Sequence, residues 1–197
     1  MKKKIFRAII GVVVFLTLYG LREYLQHGGK SSPAKLSEIG AMLYLEGNYD
    51  EAIVYLQKAA EQGDSQAQCF LGLCYRNGNG IKKNDSIGVE WYKKAAAQGD
   101  SVAQYNLSNY YLSRNDSTEA IKWLLEAAND NMLEAQYRMG LFCQYGYGII
   151  VPQDSSSAMM WYMKAAEQGH TKAQYRIDTW CENGIGMNKN DTSMNCF

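Results

Sequence analysis

The sequence has only two prolines and two histidines among its 197 residues. Because proline interrupts the interior of a helix, this scarcity leaves room for a mostly helical chain. The two histidines, His27 and His170, have no partners at metal-ligand spacing and are not arranged to activate a serine. The sequence therefore predicts no metal, no cofactor and no catalytic centre, and we expect a protein that is not an enzyme.

The charge of the chain is divided unevenly between its first residues and its body. The first 30 residues carry six basic residues and one acidic residue, whereas residues 31–197 carry 14 basic and 19 acidic residues. The body therefore has a net charge of −5 and contains no basic stripe. Since surfaces that bind nucleic acid are basic, we expect no nucleic acid among the partners.

An uncharged, largely apolar run of 14 residues, 8–21, lies between Arg7 and Arg22. A membrane-spanning helix typically needs about 20 residues, and a shorter run suits the apolar core of a signal sequence. No cleavage site with small residues follows, and the preceding lysines favour a cytoplasmic N-terminus. We expect residues 1–25 to form a signal anchor in the inner membrane, followed by a linker over residues 26–33, with the body in the periplasm. The alternative is a cleaved signal peptide and a secreted protein.

The segment 91–108, WYKKAAAQGDSVAQYNLS, predicts the end of one helix and the start of the next. Gly99 can adopt the left-handed conformation that closes a helix, and Asp100 can cap the following helix. The same corner recurs, once in a weaker form, at residues 58–68, 126–136 and 164–174. Its recurrence predicts a chain built from repeated helical hairpins.

One small or short residue stands in the first helix of each predicted hairpin, at intervals of 32, 36, 32 and 38 residues: Gly40, Gly72, Ser108, Gly140 and Asp178. Periods of this size are typical of solenoids, because a single hairpin cannot bury its apolar face alone. We therefore predict a solenoid domain over residues 34–197. Its repeats are predicted at approximately 34–63, 64–99, 100–130, 131–169 and, incomplete, 170–197.

Three copies of a Gly-x-Gly-hydrophobic motif, each followed by an aspartate, begin at Gly78, Gly146 and Gly184. Each follows an Ala-Gln helix start, and the first two precede Trp-Tyr-x-Lys-Ala-Ala. This pattern resembles the Sel-1-like repeats of exported bacterial proteins, a branch of the tetratricopeptide-like solenoids. The resemblance implies an all-α superhelix of nine helices. Because a phosphate-binding loop needs a preceding strand, we predict that the Gly-x-Gly motifs are turns between helices.

The five cysteines are Cys69, Cys74, Cys143, Cys181 and Cys196. Cys69 and Cys74 point in different directions on one predicted helix. Cys143 and Cys181 occupy equivalent places in neighbouring repeats, where Cα atoms should lie about 8–10 Å apart. That separation exceeds the limit of about 7 Å for a disulfide bond. We therefore predict buried free thiols.

First helices line the concave face of such solenoids, where ligands usually bind. The candidate partner-binding residues on them are Tyr44, Arg76, Asn77, Tyr105, Asn109, Tyr137, Gln144, Tyr145, Tyr175 and Asn183. Tyrosine and arginine are frequent anchors at protein interfaces, although these tyrosines could instead pack between repeats. Trp91, Trp123 and Trp161 recur on the second helices and are predicted to be core residues.

The resemblance and the candidate residues together imply a non-catalytic scaffold that binds a protein or peptide through its concave face, outside the cytoplasm. An adaptor or immunity-type role fits this description. The alternative function is binding of cell-wall glycan or peptide, or weak hydrolysis of it.

Overall fold

A computed structural model describes residues 31–182, and every regular element in that range is an α-helix. The nine helices described there are α1 (Pro33–Leu45), α2 (Tyr49–Glu61), α3 (Ser65–Asn77), α4 (Asp85–Ala96), α5 (Ser101–Ser113), α6 (Ser117–Asn129), α7 (Leu133–Tyr145), α8 (Ser155–Glu167) and α9 (Thr171–Glu182). One isolated β-bridge joins Tyr147 and Val151. The all-α prediction is therefore confirmed for this part of the chain.

The predicted signal anchor, residues 1–25, lies outside the described residues, as does most of the linker. Pro33, which we assigned to the end of that linker, is the first residue of α1, and the Ser32 side chain accepts a hydrogen bond from the Lys35 backbone. None of the helices between residues 31 and 182 combines the length and apolar character needed to cross a membrane.

The described residues divide into two compact units, the first ending at Gly88 and the second beginning at Val89. In the first unit, α1 packs on α2 and α2 packs on α3. In the second unit, each of the helices α5 to α8 packs on the next helix in the chain. Within each unit, neighbouring helices therefore pair in the order that the repeated hairpins predict.

Glycine allows the two helices of a hairpin to approach closely at Gly40 and Gly140. A Cβ atom at Gly40 would lie 2.6 Å from Cγ of Leu56, and one at Gly140 would lie 2.5 Å from two ring carbons of Tyr162. Leu56 and Tyr162 are both completely buried. The repeated small residue is thus a packing requirement at these two positions, as the spacing predicts.

The predicted helix corners are confirmed in the structure. Asp64 and Asp100 each accept a hydrogen bond from the backbone N–H three residues later, at 2.8 Å. At the corner before α9, His170 replaces the aspartate, and its Nδ1 accepts a hydrogen bond from the backbone N–H of Ala173 at 3.1 Å. The glycine before each of these caps has a positive φ angle. His170 therefore caps α9 in the place of the aspartate.

The two described Gly-x-Gly motifs are turns that follow helices, as predicted. Gly78 has a φ of 80° directly after α3, and Gly146 has a φ of 74° directly after α7. The third copy, at Gly184, lies outside the described residues. Since a helix and not a strand precedes both described turns, neither has the context of a phosphate-binding loop.

The three tryptophans of the second helices differ in burial. Trp161 belongs to the core, whereas Trp91 and Trp123 are only half-buried. The ammonium groups of Lys94 and Lys122 lie over these two half-buried rings, at 4.0 Å and 5.3 Å from the centroids. The core prediction is therefore correct for Trp161 and wrong for the other two. The lysine contact does not explain the difference, because Nζ of Lys164 also lies 4.4 Å from the centroid of the Trp161 ring.

The cysteine prediction is partly correct. Cys69, Cys74 and Cys143 are buried, and burial raises the pKa of the Cys74 thiol to about 11 and also raises that of Cys143. Such thiols are poor nucleophiles because the reactive thiolate is scarce. Cys181 is disulfide-bonded, so the prediction of a free thiol is wrong there. Cys196 lies outside the described residues.

Candidate functional site

Three first helices of the second unit carry a tyrosine at the same place in the repeat: Tyr105 on α5, Tyr137 on α7 and Tyr175 on α9. Each stands two residues after a fully buried alanine. Because successive residues of an α-helix are rotated by about 100°, the tyrosine lies about 200° around the helix from that alanine. Tyr175 is accordingly 69% exposed, whereas Tyr105 and Tyr137 are half-buried and pack against the core of this unit.

An arginine that the sequence analysis did not select links α7 to α5. Nη1 of Arg138 donates a hydrogen bond to Oδ1 of Asn109, and Cζ of Arg138 lies 4.8 Å from the centroid of the Tyr105 ring. Burial raises the pKa of the Tyr105 hydroxyl, whereas the charge of Arg138 and a hydrogen bond with Asn109 lower that pKa. These contacts hold the guanidinium against a neutral surface.

A second arginine that was also missed repeats this arrangement between α9 and α7. Nη1 of Arg176 donates a hydrogen bond to Oη of Tyr145 at 2.9 Å, and Cζ lies 5.9 Å from the centroid of that ring. Burial opposes the charged form of Arg176, but hydrogen bonds with Tyr145 and Tyr137 raise the pKa of its guanidinium above the usual value. Arg176 therefore remains a cation.

We call these linked side chains the tyrosine–arginine row: Tyr105, Asn109, Tyr137, Arg138, Tyr145 and Arg176. Four of its six members were predicted as partner-binding residues. The signal for the two missed arginines was present in the sequence, since each directly follows the tyrosine of an Ala-Gln-Tyr segment. The row offers guanidinium and phenol donors beside aromatic faces, and such groups bind carboxylates, carbonyl oxygens and flat apolar groups.

Two predicted residues, Tyr137 of the row and Gln144 beside it, are mainly engaged in packing. The Tyr137 ring stacks on His170, with centroids 4.3 Å apart, and lies 5.7 Å from the Tyr162 ring. The Gln144 side chain accepts a hydrogen bond from the Tyr162 hydroxyl at 2.6 Å. Most contacts of these two residues are therefore packing contacts within and between repeats.

Exposed apolar residues adjoin the row at the end of α7. Tyr145 is 63% exposed, and in the loop that follows, Ile149 is fully exposed and Ile150 is 39% exposed. The bridge between Tyr147 and Val151 holds this loop together. Sequence reasoning missed these isoleucines, although this loop carries insertions relative to its counterpart after Gly78.

The predicted residues of the first unit form a separate cluster. Oη of Tyr44 accepts a hydrogen bond from Asn79 at 2.8 Å, and its ring meets those of Tyr49 and Phe70 at centroid distances of 5.1 Å and 5.4 Å. Asn77 also forms a hydrogen bond with Tyr44. Arg76 is half-buried beside Gly88, while the last predicted residue, Asn183, lies outside the described residues. Tyr44 therefore serves mainly to hold the turn after α3.

No cluster of three or more histidine, cysteine, aspartate or glutamate side chains suited to a metal ion occurs within residues 31–182. The side chains of the row also lack a thiol, a carboxylate or an imidazole that could act as nucleophile or base. The groups that the row presents are hydrogen-bond donors and aromatic faces.

A family model described as Sel1 repeat matches residues 35–64, 65–100, 101–132 and 133–170. Among solved structures, a Sel1 repeat protein from Oxalobacter formigenes is 33% identical, with a TM-score of 0.70, over 78% of this chain and 64% of that chain. The protective antigen c5321 of uropathogenic Escherichia coli strains, which displays an SLR fold, is also 33% identical. Its TM-score is 0.73, over 87% of this chain and 38% of that chain.

Two curated fungal proteins match part of the chain. Chitin synthase regulatory factor 3 of Schizosaccharomyces pombe is 35% identical over 100 residues, which cover 47% of this chain and 11% of that protein. Chitin synthase regulator SKT5 of Saccharomyces cerevisiae is 34% identical over 123 residues, covering 55% of this chain and 18% of that protein. The match thus spans less than a fifth of either fungal relative.

Proposed function

Because the chain belongs to the Sel1 repeat family, we propose that it is a non-catalytic scaffold that binds a protein or peptide partner on the tyrosine–arginine row. Sel1 repeats generally mediate protein–protein interactions. The fungal relatives are named as regulators of an enzyme, which supports a role exerted through a partner. An adaptor or immunity-type role is the form of this function that we propose.

The observation that carries the proposal is the pairing of exposed Tyr145 with half-buried Arg176. Tyrosine and arginine contribute most of the energy at many protein interfaces, because they combine a large contact area with directed hydrogen bonds. The hydrogen bonds of Arg138 and Arg176 also reduce the freedom of both guanidinium groups before a partner arrives. A partner therefore loses less free energy in ordering these side chains.

The exposed loop beside Tyr145 extends the proposed interface. Ile149 and Ile150 would supply apolar contact area next to the hydrogen-bonding groups of the row. Interfaces commonly join a well-packed apolar part to polar neighbours in this way.

Site-specific photo-crosslinking in living cells tests this function. We expect a photoreactive phenylalanine analogue at Tyr145 in the full-length chain to capture one partner. The matched control carries the analogue at Leu125, an exposed residue of the second helix α6 in the same unit. Capture from Leu125 but not from Tyr145 would show that the partner binds the second helices instead.

The captured protein is then purified and its affinity measured directly. We expect Tyr145→Ala to weaken binding about 10-fold or more, as for an interface anchor. An unchanged affinity would contradict the assignment of the row as the binding surface.

We further propose that residues 1–25 anchor the protein in the inner membrane and that the repeats face the periplasm. The apolar run and its preceding lysines support this proposal. In spheroplasts, external protease should digest the repeats. Without protease, the intact protein should remain with the membrane after alkaline extraction. Replacing Val13 and Val14 by arginine should release the chain from the membrane, since central charges oppose insertion. Protection of the wild-type repeats until the cells are lysed would refute the periplasmic location.

A further inference from the structure

We propose that the partner segment is an extended acidic peptide whose carboxylates, three residues apart, bind Arg138 and Arg176. This inference rests on the proposed function, because it specifies the chemistry of the partner on the same row. The observation that supports the inference is the arrangement of charges around the two arginines.

Within the described part of the chain, the contacts given above for both guanidinium groups are with neutral side chains. Within residues 31–182, neither arginine forms an ion pair, and their hydrogen bonds go to an amide oxygen and to phenol oxygens. Both arginines are half-buried. A partly buried cation without a counter-charge is costly, and a carboxylate is the group that compensates it best, through two parallel hydrogen bonds.

Two carboxylates on the helices that carry the arginines contact other side chains. Glu134 lies 3.3 Å from Nε2 of His170, and Asp178 accepts a hydrogen bond from Gln174 at 2.9 Å. Both acids stand on the same helices as the arginines and yet turn to other partners. The described residues therefore leave the charge of the row available to an anionic ligand.

The repeat sets the distance between the two cations. Arg138 and Arg176 each stand two residues before the repeated residue of their helix, Gly140 or Asp178. Arg176 of α9 contacts Tyr145 of α7, so the two first helices are neighbours, and neighbouring helices typically lie about 8–10 Å apart. A polyproline II segment advances about 9 Å in three residues and returns to the same face. Acidic residues at positions i and i+3 of such a segment match this spacing.

Three fluorescent peptides with the same proline-rich backbone test the inference on the full-length chain by fluorescence anisotropy. They carry two glutamates, two glutamines or two lysines three residues apart. We expect the glutamate peptide to bind, at least 10-fold more tightly than the glutamine peptide, and the affinity to fall as salt is added. The lysine peptide should bind most weakly.

Variants identify the arginines as the cause. Arg138→Gln combined with Arg176→Gln should weaken binding of the glutamate peptide about 10-fold or more. Arg114→Gln is the matched control, because Arg114 is an exposed arginine of the same unit that lies beside Tyr110 and not in the row. It should leave the affinity unchanged. An equal loss in both variants would overturn the inference, because a general charge effect would then explain binding.

The remaining outcomes separate this inference from the function on which it rests. Equal binding of the glutamate and glutamine peptides overturns the acidic specificity but leaves peptide binding intact. Absence of glutamate-peptide binding at about 1 mM, together with capture of a non-acidic partner segment from Tyr145, also overturns only the inference. Retention on purified cell-wall glycan without any crosslinked protein overturns both.

Discussion

Replacement of Gly140 by valine should lower the melting temperature of the protein by about 10 °C. The new side chain would enter space that the Tyr162 ring occupies, since even its Cβ would lie 2.5 Å from Cδ1 and Cε1 of that ring. The ring cannot move away easily, because it is fully buried and packs against Trp180. Overpacking of this kind costs about 3 kcal/mol, and each kcal/mol shifts the melting temperature by about 2–4 °C in a chain of this size.

Circular dichroism during heating measures this loss, and Ser108→Ala is the matched control. Ser108 occupies the position of Gly140 in the preceding hairpin, already has a Cβ, and is completely buried. Its hydroxyl has no hydrogen-bond partner among residues 31–182, so its removal should leave the melting temperature unchanged or raise it slightly. An unchanged melting temperature for Gly140→Val would mean that α7 and α8 are not packed as closely as described.

Replacement of Gly80 by alanine should destabilise the first unit by about 3 kcal/mol, for two reasons that combine. Gly80 has a φ of +68°, a conformation that is strained for a residue with a side chain. Its Cβ would also lie 2.6 Å from the carbonyl oxygen of Tyr49, which is backbone at the start of α2. Because a backbone atom cannot rotate away, the turn itself would have to shift.

Gly148→Ala separates the two contributions. Gly148 is the second glycine of the equivalent motif and has a φ of +59°, but a Cβ there would meet no atom within 4 Å. Gly148→Ala should therefore lower the free energy of unfolding only by the backbone strain, about 1–2 kcal/mol. Chemical denaturation of both variants gives the comparison. Equal losses would indicate that conformation alone, and not the contact with Tyr49, makes glycine necessary at Gly80.

The helix corners and hairpins could be predicted from the sequence because their causes are local. A capping aspartate such as Asp100 acts on a backbone N–H three residues away, and Gly99 needs only its own φ angle. The repeat interval then brought Gly40 and Gly140 to the point where two helices approach. These signals involve residues that are near one another in the chain or at fixed intervals.

The tryptophans show where this reasoning was insufficient. Trp91, Trp123 and Trp161 stand at equivalent places in their repeats, yet only Trp161 is buried. Periodicity locates a residue on one side of a helix, but the neighbouring repeat decides how much of the side chain is covered. Tyr44 shows the same dependence, since its partners come from α2, from α3 and from the turn after α3.

The sequence by itself therefore determined the all-α class, the helical hairpins, the caps and the membership of the repeat family, since these depend on local chemistry repeated along the chain. Only the tertiary structure decided that Arg138 and Arg176 reach back to Asn109 and Tyr145 in the preceding repeat. Those partners stand 29 and 31 residues earlier, and a long, flexible arginine side chain can point in many directions. The packing of the first helices brings particular neutral acceptors within reach of the side chain, and these acceptors set its direction.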